Sequence, residues 1–290
     1  MTASLSRTQS TYHARSNSLP SRPHPLSLEV GEYLSRLRSS EDTSTSSSSI
    51  SRKISGLQDL NDCVNKLFQL PLTQQAFTQE QHKALVDQVL DGSLRLLDLC
   101  NSAKDALWQT KESVHEFQSA IRRKRGGEIG IVDEVRKFLA SRKTVKKMIH
   151  KALKNLKGLE TKYMFDKDDE TFEFLKEVAK VNITVLESLF SFICGSKAQA
   201  KLTSNWSLLS KLMSNWRIAC EEEDENEFGL VDSALGSFLG CKSDNNIKTE
   251  NVQHKLQNLE LCVNDLEGGV ECIYRCLIKA RVSILNIFNY

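Results

Sequence analysis

The four prolines of this 290-residue chain, Pro20, Pro23, Pro25 and Pro71, all lie at or before residue 71, and the following 219 residues contain none. A β-rich domain of that size would use proline in its turns, whereas helices exclude it from their interiors. Apolar residues in that proline-free stretch recur at spacings of 3 and 4 rather than 2, the period of one helical face. The chain is therefore expected to be all-α: a multi-helix bundle of long antiparallel helices behind a flexible, extended N-terminal leader.

The leader is expected to run over residues 1–52, closed by the serine/threonine tract "SSEDTSTSSSSIS" at 39–51, which has little to bury and reads as a linker. Before it, "LSLEVGEYLSRLR" could form a short helix weakened by Gly31. The bundle, 53–290, starts with "GLQDLNDCVNKLFQL", which Pro71 ends. A run from about Thr78 to Arg125 is either one rod tolerating Gly92 or two helices with Ser93 as a cap. Further helices are expected over 131–159 and 168–193, the latter closed by Gly195, and over "LTSNWSLLSKLMSNWR". An acidic run at 221–227 and a polar link at 242–248 flank a short apolar segment. The last helix carries Leu256, Leu259, Val263, Leu266, Val270, Ile273, Leu277, Ala280, Ile284 and Ile287 in unbroken alternation of 3 and 4. This heptad seam fits an intramolecular bundle better than a free-standing coiled coil, which Gly268 and Gly269 would weaken.

Composition narrows the function classes. A net charge of +2 with 26% charged residues does not make the whole chain a polyanion binder, so such a role needs a local patch. The opening "MTASLSRTQS" lacks an apolar signal core, and eight scattered cysteines then read as reduced thiols of an intracellular protein. The cytoplasm is the favoured compartment, with a membrane-peripheral location also open. The most apolar stretch, "VNITVLESLFSFICG", is too short to span a bilayer and contains Asn182 and Glu187, so a core helix is expected.

No phosphate-cradling loop, metalloprotease histidine pair or nucleophile elbow is present, so no enzyme, cofactor or small-molecule substrate is indicated. A zinc site from His254, Cys262, Cys272 and Cys276 is conceivable, but these cysteines sit at core-type positions where a small hydrophobe suffices. The sharper signal is basic. Residues 121–157 hold thirteen Lys and Arg against Glu128, Asp133 and Glu134. The helix at 131–157, with Lys143, Lys146, Lys147 and Lys151 at its centre, could lie on an anionic membrane surface. A solvated face, or pairing with the acidic run, is the bland alternative. Nucleic acid is disfavoured because no aromatic stacking set accompanies the charge.

The leader holds "YHARSNSLPSRPHPL" at 12–26. Within it Arg15, Ser18 and Pro20 have the spacing of a phosphoserine motif bound by 14-3-3 proteins, with Ser18 as the phosphate acceptor. Residues 1–28 also lack Asp and Glu, as transit peptides do, which keeps a plastid destination open. The third reading is an arm packed on the bundle through Leu19, Leu26 and Leu28.

The blocks "YHARSNSLPSRPHPL", "LPLTQQAF", "DGSLRLLDLCNSAKDAL", "VRKFLASRKTVKKMIHKALKNLK" and "LIKARVSILNIFN" occur in this order. Together they resemble the plant-specific family of domain of unknown function 241, related to the BYPASS proteins. The resemblance implies a helical, non-enzymatic plant protein linked to root and shoot development, working as a regulatory or interaction protein. It supplies no active-site residues.

Overall fold

The computed structural model describes residues 24–39, 46–79, 82–123, 129–160, 170–195, 226–240 and 245–288. They form eight helices and no strand among the described residues: α1 Pro25–Ser39, α2 Ser47–Leu67, α3 Pro71–Thr78, α4 Lys83–Arg123, α5 Ile129–Glu160, α6 Glu170–Cys194, α7 Glu227–Gly240 and α8 Asn245–Phe288. The expected all-α bundle is what the chain forms.

The short helix expected over 26–38 forms as α1, within the segment read as leader. Pro25 opens α1 at its first turn, where a missing N–H costs nothing, and Val30, Leu34 and Leu37 are buried on its inner face. The end of the serine tract is also helical. Ser46 caps α2, its hydroxyl accepting from the Ser49 N–H at 3.3 Å. Ile50 and Ile54 then begin the buried face. A capping serine and an apolar residue at every fourth position are enough to start a helix that a low-complexity reading treats as linker.

Pro71 does not merely end α2. It opens α3, and Leu70 before it is extended at φ −75° and ψ 136°, as the residue before proline prefers. Between the two readings of residues 83–123, one continuous rod is what forms. Ser93 does not cap: its hydroxyl donates to the Leu90 carbonyl one turn back, at 2.7 Å. Gly195 closes α6 with a left-handed φ of 68°. A side chain there would also meet the Gly229 backbone nitrogen at 2.9 Å. The polar link expected at 242–248 gives way to α8, which begins at Asn245.

α8 is the axis of the bundle. It runs antiparallel to α4, pinned by Lys104–Glu271 at 2.6 Å, Lys111–Glu267 at 2.7 Å and His115–Glu260 at 3.0 Å. It runs parallel to α2, whose Asn65 donates to the Cys276 carbonyl, while Gln69 in the turn just past α2 donates to Ser283. The heptad seam is consumed inside the chain: Leu256, Leu259, Val263, Leu266, Val270, Ile273, Leu277 and Ile284 are all buried. Gly269 serves this packing, since a methyl group there would fall 2.5 Å from Ile54 Cγ2, whereas Gly268 faces open space.

α1 lies antiparallel on the outside of α2, with Leu37 against Gly56 and the Leu26 carbonyl near Cys63. α5 runs back along α4, with Ser113 and Ser141 hydrogen-bonded at 2.5 Å and Phe117 against Phe138. α6 packs on α2, α4 and α5. Its Asn182, the polar residue in the most apolar stretch, exchanges amide hydrogen bonds with Asn61 at 3.0 and 3.3 Å. That pairing satisfies two buried amides at once. No described helix is long and apolar enough to cross a membrane.

Candidate anionic-surface interface

The basic segment folds as α5, and its apolar residues fix which cations remain outside. Val135, Phe138, Val145, Ile149 and Ala152 are buried. Their spacing is 3, then 7, then 4, then 3, which leaves a core position between Phe138 and Val145. Arg142 fills it.

Arg142 is 2% exposed and belongs to no solvated face. Its Nε donates to Asp232 Oδ1 at 3.1 Å and its Nη2 to Asp232 Oδ2 at 3.3 Å. Nη2 also donates to the Ile193 carbonyl at 2.8 Å, at the last turn of α6. The guanidinium carbon lies 5.0 Å from the centre of the Phe228 ring. One side chain thus ties α5 to α6 and α7. Asn226 completes the joint by donating to the Phe192 carbonyl at 2.8 Å and accepting from the Gly229 N–H at 2.9 Å.

Lys146, one helical turn on, is drawn to the same carboxylate, with Nζ 2.8 Å from Asp232 Oδ2. Of the four lysines expected at the interface, Lys146 is therefore committed to a partner inside the protein. The acid that neutralises these two cations is Asp232 on α7; of the acidic run at 221–227, residues 221–225 lie outside the described residues.

Lys143, Lys147 and Lys151 are exposed, together with Arg136 and Lys154. Steps of 7, 4, 4 and 3 residues place all five on one face of α5. Arg136 is bridged to Asp133 three residues back, at 3.1 Å. The four lysines have no ion-pair partner among the described residues. Because the opposite face of α5 is spent on the bundle core, this helix cannot sink an apolar side into a bilayer. It offers charge alone.

Other sequence-level candidates are distributed differently. Arg15, Ser18, Pro20 and Leu19 lie outside the described residues. Leu26 is half-buried against the core, while Leu28 is exposed. No group of three or more His, Cys, Asp or Glu among the described residues could hold a metal ion. The conceived zinc ligands have other surroundings: the Cys276 thiol donates to Asp62 Oδ1 at 3.2 Å, and Cys262 is buried in the α8 seam. Burial pushes the Cys63 and Cys194 thiols up to about 11 and those of Cys100 and Cys276 up to about 12. All six described cysteines are free thiols.

The missed element is the Arg142–Asp232 pair. Its signal was a lone cation at a core position of α5 and a lone acid in the apolar segment of α7, each unreadable without the other.

No curated protein and no solved structure matches the chain. A family model described as Protein BPS1 matches residues 53–287. That match covers more than half of the sequence, so the chain belongs to the BPS1 family of BYPASS-related proteins, and this membership suggests a plant development-related protein.

Proposed function

We propose that this protein is a non-enzymatic regulatory protein of plant root and shoot development that works by binding, and that it docks on anionic lipid surfaces through α5. The observation that carries the reading is the exposed row Lys143, Lys147, Lys151 and Lys154, which have no ion-pair partner among the described residues, beside Arg136, which Asp133 bridges. Each lysine near an anionic bilayer contributes about 1 kcal/mol, falling off within a Debye length. Since the apolar face of α5 is buried, attachment is peripheral, electrostatic and reversible by salt.

The test is co-sedimentation of the full chain with vesicles containing phosphatidylserine or only phosphatidylcholine, over a salt series. Binding to the anionic vesicles alone, lost as salt rises, is expected. Equal binding to both, or none to either at low salt, would refute the reading. The Arg15–Ser18–Pro20 motif supplies a protein partner to the same reading: with Ser18 phosphorylated, a 14-3-3 protein is the proposed binder, since its arginine cluster clamps a dianion. A cytoplasmic protein that visits the membrane follows from both features, and processing of a plastid transit peptide would argue against it.

A further inference from the structure

A groove of about 350 Å³ opens at the end of the bundle where α2, α3 and α8 meet. Gln69, Gln74, Thr78, Ser283, Asn286 and Ile287 line it. Its lining holds four amide or hydroxyl types and one aliphatic side chain, and no charged group. Gln69 Nε2 already donates to Ser283 at 3.3 Å and Gln74 Nε2 to the Phe68 carbonyl at 3.2 Å; each amide nitrogen carries a second N–H that these bonds do not use. Asn286 has no hydrogen-bond partner among the described residues. Side-chain amides both donate and accept, so this lining matches the main chain of an extended peptide better than an ion.

The geometry points to the chain's own N-terminal arm, residues 12–23, as the occupant. The first described residues lie at this end. α1 begins at Pro25, and the Leu26 carbonyl lies 3.9 Å from the Cys63 thiol of α2. Gln69 follows Cys63 by six residues, which is about 9 Å of helical rise. Twelve residues in polyproline conformation reach about 37 Å, enough to cross the end of α2. The sequence suits that conformation: Pro20 and Pro23 fix φ and remove two donors, leaving carbonyls that the groove amides can bond. Leu19 is the one large aliphatic residue of the arm, and Ile287 is the one aliphatic spot in the groove.

Docking also gives Ser18 a switch, beyond and independent of the lipid reading. An unmodified serine fits a groove of amides and hydroxyls. A phosphoserine brings about two negative charges and finds no cation in the lining. Phosphorylation therefore frees the arm and exposes the Arg15–Ser18–Pro20 motif to a partner.

The test places a photo-cross-linking residue at Asn286 in the full chain and locates the cross-linked peptide by mass spectrometry. A cross-link to residues 12–23 within the monomer is expected, and its yield should fall several-fold in Ser18→Glu. Cross-links only elsewhere in the chain, cross-links between two copies, or none with helicity intact would overturn the docking. An unchanged yield in Ser18→Glu would overturn the switch. Should the Asn286 variant lose helicity, the same label at Gln74 on α3 gives the same decision.

Discussion

Asp232→Asn is the most informative single change in the bundle. It keeps the shape of the side chain but removes the charge facing Arg142, which is 2% exposed. In the intact protein the guanidinium makes two hydrogen bonds to the carboxylate and one to the Ile193 carbonyl, while Nη1 has no hydrogen-bond partner. The variant leaves a buried cation with one carbonyl and at best one amide oxygen. Breaking a buried pair in this way costs about 3–5 kcal/mol, a large share of the roughly 5–15 kcal/mol that holds a domain folded. Lys146 is spared that cost, because its side chain is 28% exposed and can turn to water. The assay is urea unfolding followed by circular dichroism. With a slope of about 2–3 kcal/mol per molar, the midpoint should fall by roughly 1–2 M. Replacing both partners, Arg142→Met with Asp232→Leu, removes the stranded charge, and such swaps are often neutral or stabilising. The double variant should therefore be more stable than Asp232→Asn. A loss below about 1 kcal/mol in the single variant, or no recovery in the double, would refute the claim that this pair is a buried joint.

Other changes test the packing of the bundle and the leader motif. Gly269→Ala drives a methyl group to 2.5 Å from Ile54 Cγ2, on a stiff β-branched side chain, and should lose about 1–3 kcal/mol; Gly268→Ala, facing open space, should gain about 0.5–1 kcal/mol in the same urea assay. The Cys63, Cys100, Cys194 and Cys276 thiols are raised from 9.0 to about 11 or 12; the native state then holds more protons than the unfolded chain above pH 9, so stability should be full below that value and fall as pH rises toward 12. Alkylation mapped by mass spectrometry at pH 8 should correspondingly leave these four unmodified until denaturant is added, and ready labelling of the native protein would contradict it. Ser18→Ala should abolish capture of a 14-3-3 protein from plant extract, and undiminished capture would remove that partner.

Patterns that depend on one helix at a time were open to reading from sequence. The α8 seam, the Gly195 stop and the core role of the Asn182 stretch follow from spacing alone, because each helix buries one face whatever it packs against. Where α2 begins was hidden because serine has two opposite uses, linker filler and helix cap, and only the buried Ile50 and Ile54 decide between them. The basic face was half legible. Charge count located α5, but not which cations stay in solvent. That depended on Asp232, 90 residues from Arg142 in the chain, converging on a single core position. Sequence spacing gives no distance between helices, and so neither this joint nor the groove between α3 and α8 could be drawn from it.

Attachment to an anionic surface depends, on the proposed reading, on the outward lysines of α5. The direct measurement compares vesicle affinity of the intact chain with Lys143→Glu/Lys147→Glu/Lys151→Glu and with a control carrying Lys66→Glu/Lys180→Glu, two exposed lysines on α2 and α6. At about 1 kcal/mol for each lysine, losing three contributions predicts at least a 100-fold drop for the α5 variant at low salt. The control should retain most of the affinity. Equal losses in both would reduce the effect to net charge, and full affinity in the α5 variant would contradict the proposed interface.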